Sequence, residues 1–462
     1  MTYFFETYGC QMNIAESAAL EQLLLARGWT GAPDAETADM VIINTCSVRA
    51  TAENRIFGRL GWYSGLKAVR ACLPGAKSRS LEKAAEFVRG GPRPLTLVVT
   101  GCMAERLLDS LKKDYPCIDY VVGTFAKQKF GDVIDAVVSN GTAEISDSGA
   151  YEFAPLSYEP GSFSAFVPIM HGCNNFCTYC IVPYVRGREI SRSPGEIINE
   201  LDVLSSYGVK EITLLGQNVN SYSSGGTDFA GLLMLIDSHL EESASPIRWV
   251  RFMSSHPKDL SDAVIDVVAG RKRICRHIHL PVQHGSSEIL RRMNRRYSRE
   301  DYIALVDRIR RKIPDVSLTT DIMVGFPGET DGDLELTLDL MRKIRYENAF
   351  MYYYNPREGT PAASYADQIP LEVKKARLQR VIDLQLEVTS GEMARRTGRT
   401  VTVLAESVSR DNPDELLGKT EQDERVAFRA DRTLIGKFLD VHIDVLSGNT
   451  FRGTLVERNS IV

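Results

Sequence analysis

The stretch Phe166-Val-Pro-Ile-Met-His171-Gly172-Cys173-Asn-Asn-Phe-Cys177-Thr-Tyr179-Cys180 places three cysteines at CxxxCxxC spacing directly after an apolar, β-rich run. Three thiolates on one tight loop can hold three irons of a cubane cluster and leave the fourth iron open to a small molecule. A zinc knuckle short of one ligand, which His171 could complete, and plain structural thiols are the competing readings. Beyond the loop, strands and helical patterns alternate, with strands predicted at 166–170, 211–215, 248–253, 277–280, 316–324 and 349–354. Six such units predict a parallel, partial (β/α)6 barrel whose site faces the carboxyl ends of its strands.

Upstream, residues 1–140 also alternate, with strands predicted at 3–8, 40–45 and 95–100 and helical periodicity in Leu20, Leu23 and Leu24. Val41-Ile42-Ile43 is a continuous apolar run of the kind a buried parallel strand requires, so a doubly wound α/β domain is expected here. Three further cysteines follow these strands by one or two residues, in Tyr8-Gly9-Cys10, Asn44-Thr45-Cys46 and Thr100-Gly101-Cys102. The carboxyl ends of strands in an open parallel sheet lie along one edge, so Cys10, Cys46 and Cys102 should converge as a ligand set assembled from distant sequence. Cys72, Cys117 and Cys275 have no such placement and read as ordinary thiols.

The remaining segments divide the chain. Residues 64–94 mix basic residues with Pro and Gly and read as an insertion with a helix at 81–89; residues 139–164 read as a linker. After a helix expected at 374–396, short strands at 401–404, 425–428, 438–445 and 450–456 describe a small antiparallel β-barrel, a common scaffold for single-stranded nucleic acid. The predicted division is therefore 1–140, 155–390 and 395–460 in an α/β chain of 462 residues, longer than one core usually organises.

Hydrophobic residues make up 44%, charged residues 25%, and the net charge is -5. No apolar run approaches a membrane span and no secretory pattern opens the chain, so a cytoplasmic protein without membrane contact is expected. Nine cysteines are an odd number and too few for a disulfide scaffold of this length, which fits a reducing compartment. The densest basic region is Arg291, Arg292, Arg295, Arg296 and Arg299 with Arg271, Lys272 and Arg273. It reads either as a phosphate-binding surface or as a solvated helix face. The C-terminal barrel has zero net charge, so any RNA surface there must come from arrangement rather than excess.

The CxxxCxxC loop resembles the signature of the radical S-adenosylmethionine superfamily, and its surroundings narrow the resemblance. Gly9-Cys10-Gln11-Met12-Asn13, Asn44-Thr45-Cys46-Ser47-Val48-Arg49, Gly101-Cys102, the run from Gly172 to Arg188, Gly216-Gln217-Asn218-Val219-Asn220, Ser254-Ser255-His256-Pro257, Leu280-Pro281-Val282-Gln283 and Gly325-Phe326-Pro327-Gly328 are similar to the methylthiotransferases. Gln11-Met12-Asn13 and Gly216 to Asn220 resemble the MiaB type, which acts on tRNA. Its relatives modify threonylcarbamoyl-adenosine in tRNA or a ribosomal protein.

The resemblance implies two 4Fe-4S clusters, one on Cys173, Cys177 and Cys180 and an auxiliary one on Cys10, Cys46 and Cys102. It implies S-adenosylmethionine, two molecules per turnover, with Tyr179 near the adenine and Gln217 and Asn218 near the amino group. Gln283 and Asp321, at or near predicted strand ends, join the candidate cofactor contacts. A C-terminal TRAM domain that binds RNA is implied, and the substrate is the anticodon stem-loop of a tRNA whose adenosine carries an N6-isopentenyl group. The expected product is the 2-methylthio derivative. A sulfur source, an electron donor such as flavodoxin or ferredoxin and a monomeric chain complete the expectation. No side chain is expected as catalytic acid or base, because removal of hydrogen at C2 of adenine as an atom requires none. The reading from another class is a non-catalytic iron-sulfur electron carrier or RNA-binding sensor, which would form no 5'-deoxyadenosine.

Overall fold

Val41-Ile42-Ile43 lies fully buried in a parallel sheet of five strands, as its unbroken apolar character requires. The strands are β1 (Thr2–Tyr8), β2 (Thr30–Gly31), β3 (Met40–Thr45), β4 (Thr96–Gly101) and β5 (Tyr120–Val122), in the order β2-β1-β3-β4-β5. Helices α1 (Gln11–Leu25), α2 (Ala50–Arg70), α3 (Glu82–Phe87), α4 (Cys102–Arg106), α5 (Leu108–Asp114) and α6 (Phe130–Ser139) connect and follow them. The period of two along β3 sends Val41 and Ile43 into one core with Leu60, Leu66 and Val99, and Met40 and Ile42 into another with Leu20, Leu24 and Phe130. Each such aliphatic side chain contributes about 1.5–3 kcal/mol on burial. The sheet is thus covered on both faces, and its carboxyl edge is left for ligands.

This computed structural model describes residues 1–47, 50–73, 81–146 and 149–456. The predicted insertion at 64–94 begins differently from expectation: residues 64–70 are the last turns of α2. Arg70 is buried there, its Nη1 donating to the carbonyls of Glu36 (2.9 Å) and Ala38 (2.8 Å) and its Nε to that of Arg93 (2.7 Å). Those bonds hold both ends of the segment, which composition alone does not reveal. The helix expected at 81–89 is α3, while Pro74, Gly75, Lys77 and Arg79 lie outside the described residues.

The chain forms two compact units, Met1–Asn174 with Ile181–Glu200 and Leu215–Gln217, and Asn175–Cys180 with Leu201–Leu214 and Asn218–Val462. In the second unit, Glu211–Leu215 pairs in parallel with Trp249–Phe252, and Ser317–Val324 pairs in parallel with both His277–His279 and Asn348–Tyr353. A parallel bridge, Val250 with Ile274, links the two groups. These are five of the six strands expected for the partial barrel; the first, Ser164–Pro168, belongs to the first unit.

The C-terminal strands Thr400–Val408, Glu415–Lys419, Arg425–Arg429, Phe438–Ser447 and Thr450–Leu455 close into a barrel around Val403, Leu416, Val426, Val441, Ile443 and Phe451. Glu415–Lys419 was not expected, because Glu415 and Asp414 mask a short apolar run of Leu416 and Leu417. The barrel is not wholly antiparallel: Val426, Ala427 and Phe428 pair in parallel with Phe451, Arg452 and Gly453, which is how a five-stranded barrel closes. Helix Leu371–Ala394 precedes it, three residues earlier than expected because Pro370 supplies the N-cap.

Candidate metal centres

Cys10, Cys46 and Cys102 follow β1, β3 and β4, which are neighbours in the sheet, so the three thiols come from adjacent strand ends as expected. Cys10 occupies the N-cap of α1, and Asn13 one turn later accepts both its backbone N–H and its Sγ at 3.3 Å. The other end of the Asn13 amide donates to Asn44 Oδ1 (2.8 Å) and the Thr45 carbonyl (3.1 Å), which brings the start of α1 to the end of β3. Two glycines make this approach feasible. A Cβ on Gly9 would lie 2.3 Å from Asn13 Oδ1, and one on Gly101, whose φ is +95°, would lie 2.3 Å from the Thr45 carbonyl.

The thiols of Cys10 and Cys46 are in hydrogen-bond contact, which pulls Cys10 down to about 6, with Arg186 adding to the effect. Burial pushes the Cys102 thiol up, while Arg186 pulls against that. Arg186 is itself buried, with its Nε 3.1 Å from Cys102 Sγ and its Nη1 2.8 Å from Glu16 Oε1. Lys127 Nζ reaches the same Glu16 oxygen at 2.5 Å. His171 stacks on Tyr151 with ring centroids 3.5 Å apart, and its Nδ1 is 3.5 Å from Arg186 Nη1. Burial, with Arg186 beside it, holds His171 well below its usual range and therefore neutral.

The CxxxCxxC loop is held at both ends. Within the first unit, Cys173 N donates to the Gly187 carbonyl at 3.1 Å. Within the second, Cys180 N donates to the Cys177 carbonyl (2.9 Å), Thr178 N to the Met293 carbonyl (3.1 Å), and Asn294 Nδ2 to the carbonyls of Asn175 (3.2 Å) and Phe176 (3.0 Å). Arg295 is buried with Nη1 3.5 Å from both Cys177 Sγ and the Tyr179 hydroxyl. Tyr179 packs against a cluster that contains Ile289, Met293, Met323 and Phe326. Phe326 brings the Gly325-Phe326-Pro327-Gly328 turn into that cluster.

Of the other sequence candidates, Gln283 and Asp321 are in contact. Gln283, at φ +70°, accepts the Tyr352 hydroxyl at 2.9 Å and donates through Nε2 to Asp321 at 3.4 Å. Asp321 lies inside strand Ser317–Val324 rather than at its end, with His279 Nε2 3.6 Å away. Asn218 is buried with both ends of its amide engaged, by Asp259 Oδ2 (2.7 Å) and by the His256 N–H (3.2 Å). Gln217 is half-buried two residues beyond its strand and falls in the first unit. Among the described residues, no three His, Cys, Asp or Glu side chains are gathered so as to hold a single metal ion. The residues do fit thiolate-bound clusters in another respect: each cysteine set has a buried guanidinium at one sulfur, Arg186 at Cys102 and Arg295 at Cys177.

Arg186, Glu16, Lys127 and Arg295 are the site residues that sequence reasoning missed. Arg186 lay in the quoted run to Arg188, but only folding shows it to be buried. Arg295 belonged to the supposed basic surface. That surface is largely internal pairing: Arg291 with Glu288 (2.7 Å), Arg292 with Asp367 (2.7 Å), Arg299 with Asp339, and Arg271 and Arg273 with Asp237 (3.3 and 3.8 Å).

Residues 167–341 match the Radical SAM superfamily, residues 2–123 the uncharacterized protein family UPF0004, and residues 394–456 the TRAM domain. A radical S-adenosylmethionine methyltransferase from Kitasatospora setae, solved with cobalamin and a 4Fe-4S cluster bound, has the same fold over 78% of this chain and 77% of its own. Its TM-score is 0.56 at 15% identity. The tRNA-2-methylthio-N(6)-dimethylallyladenosine synthase of Treponema pallidum is 50% identical, covering 100% of both chains. The enzyme of that name in Treponema denticola is 51% identical over 98% of this chain and 100% of its own, and that of Carboxydothermus hydrogenoformans is 42% identical over 96% of each. With likeness of this degree running through both cysteine sets and the terminal barrel, the chain belongs to the tRNA-2-methylthio-N(6)-dimethylallyladenosine synthase family of radical S-adenosylmethionine proteins.

Proposed function

We propose that this protein installs a methylthio group at C2 of N6-isopentenyladenosine next to the anticodon of tRNA. The observation that supports this most is the arrival of Cys10, Cys46 and Cys102 at three neighbouring strand ends, a second thiol set in addition to the CxxxCxxC loop. When bound, two 4Fe-4S clusters and two molecules of S-adenosylmethionine per turnover supply the radical and the methylthio group. Cys173, Cys177 and Cys180 hold one cluster, and Cys10, Cys46 and Cys102 the other. Tyr179, Gln217, Gln283 and Asp321 line the cofactor, and Asn218, whose amide is engaged by Asp259 and His256, orients the loop beside it. Arg295 fixes Tyr179 and Cys177 relative to one another. No side chain is assigned as acid or base.

The three parts of the task divide among residues 1–140 (auxiliary cluster), 155–390 (radical chemistry) and 395–460 (RNA). The splayed bases of an anticodon loop suit recognition by stacking and backbone contact, which an uncharged barrel can provide by arrangement. The protein works as a monomer in the cytoplasm, with an electron donor such as flavodoxin or ferredoxin and a separate sulfur source. Among the described residues no helix is long and apolar enough to cross a membrane.

The test is anaerobic incubation of the reconstituted protein with dithionite, sulfide, S-adenosylmethionine and tRNA bearing either N6-isopentenyladenosine or threonylcarbamoyl-adenosine, followed by mass spectrometry of nucleosides. The expected result is 5'-deoxyadenosine together with a methylthio product from the isopentenyl tRNA alone. Methylthiolation of the threonylcarbamoyl tRNA instead would overturn the substrate assignment.

A further inference from the structure

Glu16, Lys127 and Arg186 bring three formal charges to the interior of the first unit, and they do not cancel. Glu16 accepts Arg186 Nη1 at 2.8 Å and Nη2 at 3.3 Å, and Lys127 Nζ at 2.5 Å. Its side chain is 4% exposed, that of Arg186 2% and that of Lys127 13%. Among the described residues no second carboxylate is within ion-pair distance of either cation. One positive charge is left over in a place where an uncompensated charge is costly. The neighbouring histidine offers no compensation, since an imidazole carries no negative charge and His171 is sealed beneath Tyr151. What Arg186 does face is sulfur: its Nε, the one guanidinium nitrogen that Glu16 does not take, points at Cys102 Sγ at 3.1 Å.

We propose that Arg186, oriented by Glu16 and Lys127, is the fixed counter-charge of the auxiliary cluster, holding the Cys102 thiolate and raising the cluster's reduction potential. The inference rests on the assignment of Cys10, Cys46 and Cys102 as ligands. A guanidinium donating to a ligand sulfur stabilises the more negative, reduced cluster over the oxidised one, because the added electron falls within the field of a charge that little water screens. Arg186 is a positioning residue: it touches a ligand, not a reacting atom. The geometry also dictates opposite signs for its two partners. Removal of the Arg186 charge lowers the potential, whereas removal of the Glu16 charge leaves two cations unopposed and raises it.

The experiment uses the full chain with Cys173, Cys177 and Cys180 all changed to alanine, so that only the auxiliary cluster loads, and reads iron content and an EPR-monitored dithionite titration. The parent should carry about four irons. With Arg186→Gln added, the ratio of reduced to oxidised cluster at a fixed potential should fall at least tenfold, about 59 mV for one electron. Arg186→Lys should recover most of that shift, and Glu16→Gln should move the ratio upward. If Arg186→Gln takes up no iron, the Lys and Glu16→Gln arms decide. Unchanged ratios, or Glu16→Gln shifting in the same direction as Arg186→Gln, overturn the counter-charge role while leaving the ligand assignment intact. A parent that binds no iron overturns the ligand assignment and this inference with it.

Discussion

Arg295 reaches the Sγ of Cys177 from a buried position, Nη1 to sulfur at 3.5 Å, with its other nitrogens held by the Pro281 carbonyl (2.7 Å) and the Tyr297 hydroxyl (3.1 Å). A guanidinium fixed at three points keeps the sulfur and the neighbouring Tyr179 ring in one relation. Arg295→Ala removes the short bond to the Pro281 carbonyl and leaves it only the Tyr297 hydroxyl at 3.4 Å, while Tyr297 keeps the Val282 carbonyl at 2.8 Å, an expected loss of about 1–2 kcal/mol. The expected outcome is a lower urea midpoint and a tenfold or greater fall in 5'-deoxyadenosine formation. Retention of full cleavage activity would remove Arg295 from the cofactor site.

The two cysteine sets separate in a product assay. Cys173→Ala should abolish both 5'-deoxyadenosine and methylthio product, since a cluster cannot be held with one thiolate of three missing. Cys10→Ala should abolish the methylthio product while 5'-deoxyadenosine still forms. A Cys10 variant that still delivers the methylthio group would show that the first unit does not carry the sulfur chemistry.

Gly101 stands just before Cys102 with φ +95°, and a Cβ there would meet the Thr45 carbonyl at 2.3 Å. Gly101→Ala therefore costs about 1–3 kcal/mol of backbone strain and pushes β4 away from β3 at the point where Cys46 and Cys102 emerge. Iron bound per chain should drop by about half, while cleavage of S-adenosylmethionine by the second set persists. Iron content equal to that of the parent would contradict this.

In the second unit Arg251 ties the barrel strand Trp249–Phe252 to the terminal barrel. Its Nε donates to Glu211 (2.7 Å), and its Nη groups donate to the carbonyls of Glu421 (2.8 Å) and Thr420 (2.7 Å). Arg251→Ala leaves Glu211 with Lys419 alone at 3.4 Å, a loss of about 3–5 kcal/mol for a broken buried pair. Limited proteolysis should then release a fragment containing residues 394–456. Protease resistance equal to that of the parent would show that this attachment depends on other contacts.

The basic region offers a counter-test. Arg271 and Arg291 are already paired with Asp237 and Glu288, so their exchange for alanine should change tRNA affinity less than threefold at 150 mM salt. A tenfold loss with a flatter salt dependence would restore the phosphate-binding reading.

Both thiol sets were legible before any fold was known. Spacing alone marks Cys173, Cys177 and Cys180, and strand-end position marks Cys10, Cys46 and Cys102, because a period of two, an apolar run and a following glycine are local properties of the chain. The order of strands along the first sheet was not legible, yet it decides that β1, β3 and β4 are neighbours and hence that their cysteines leave adjacent strand ends. Which charges are buried was not legible for the same reason. Arg295 and Arg299 look like surface in a run of arginines, and nothing local distinguishes them from Arg296, which is exposed. Burial of a charge depends on partners far away in sequence, such as Glu16 for Arg186 across 170 positions, Asp339 for Arg299, and Glu211 for Arg251. Composition and periodicity therefore determine which elements form and where along them the thiols fall. Only the tertiary structure decides which cations stand beside the sulfurs, since an ion pair is set by distance in space and the sequence records distance along the chain.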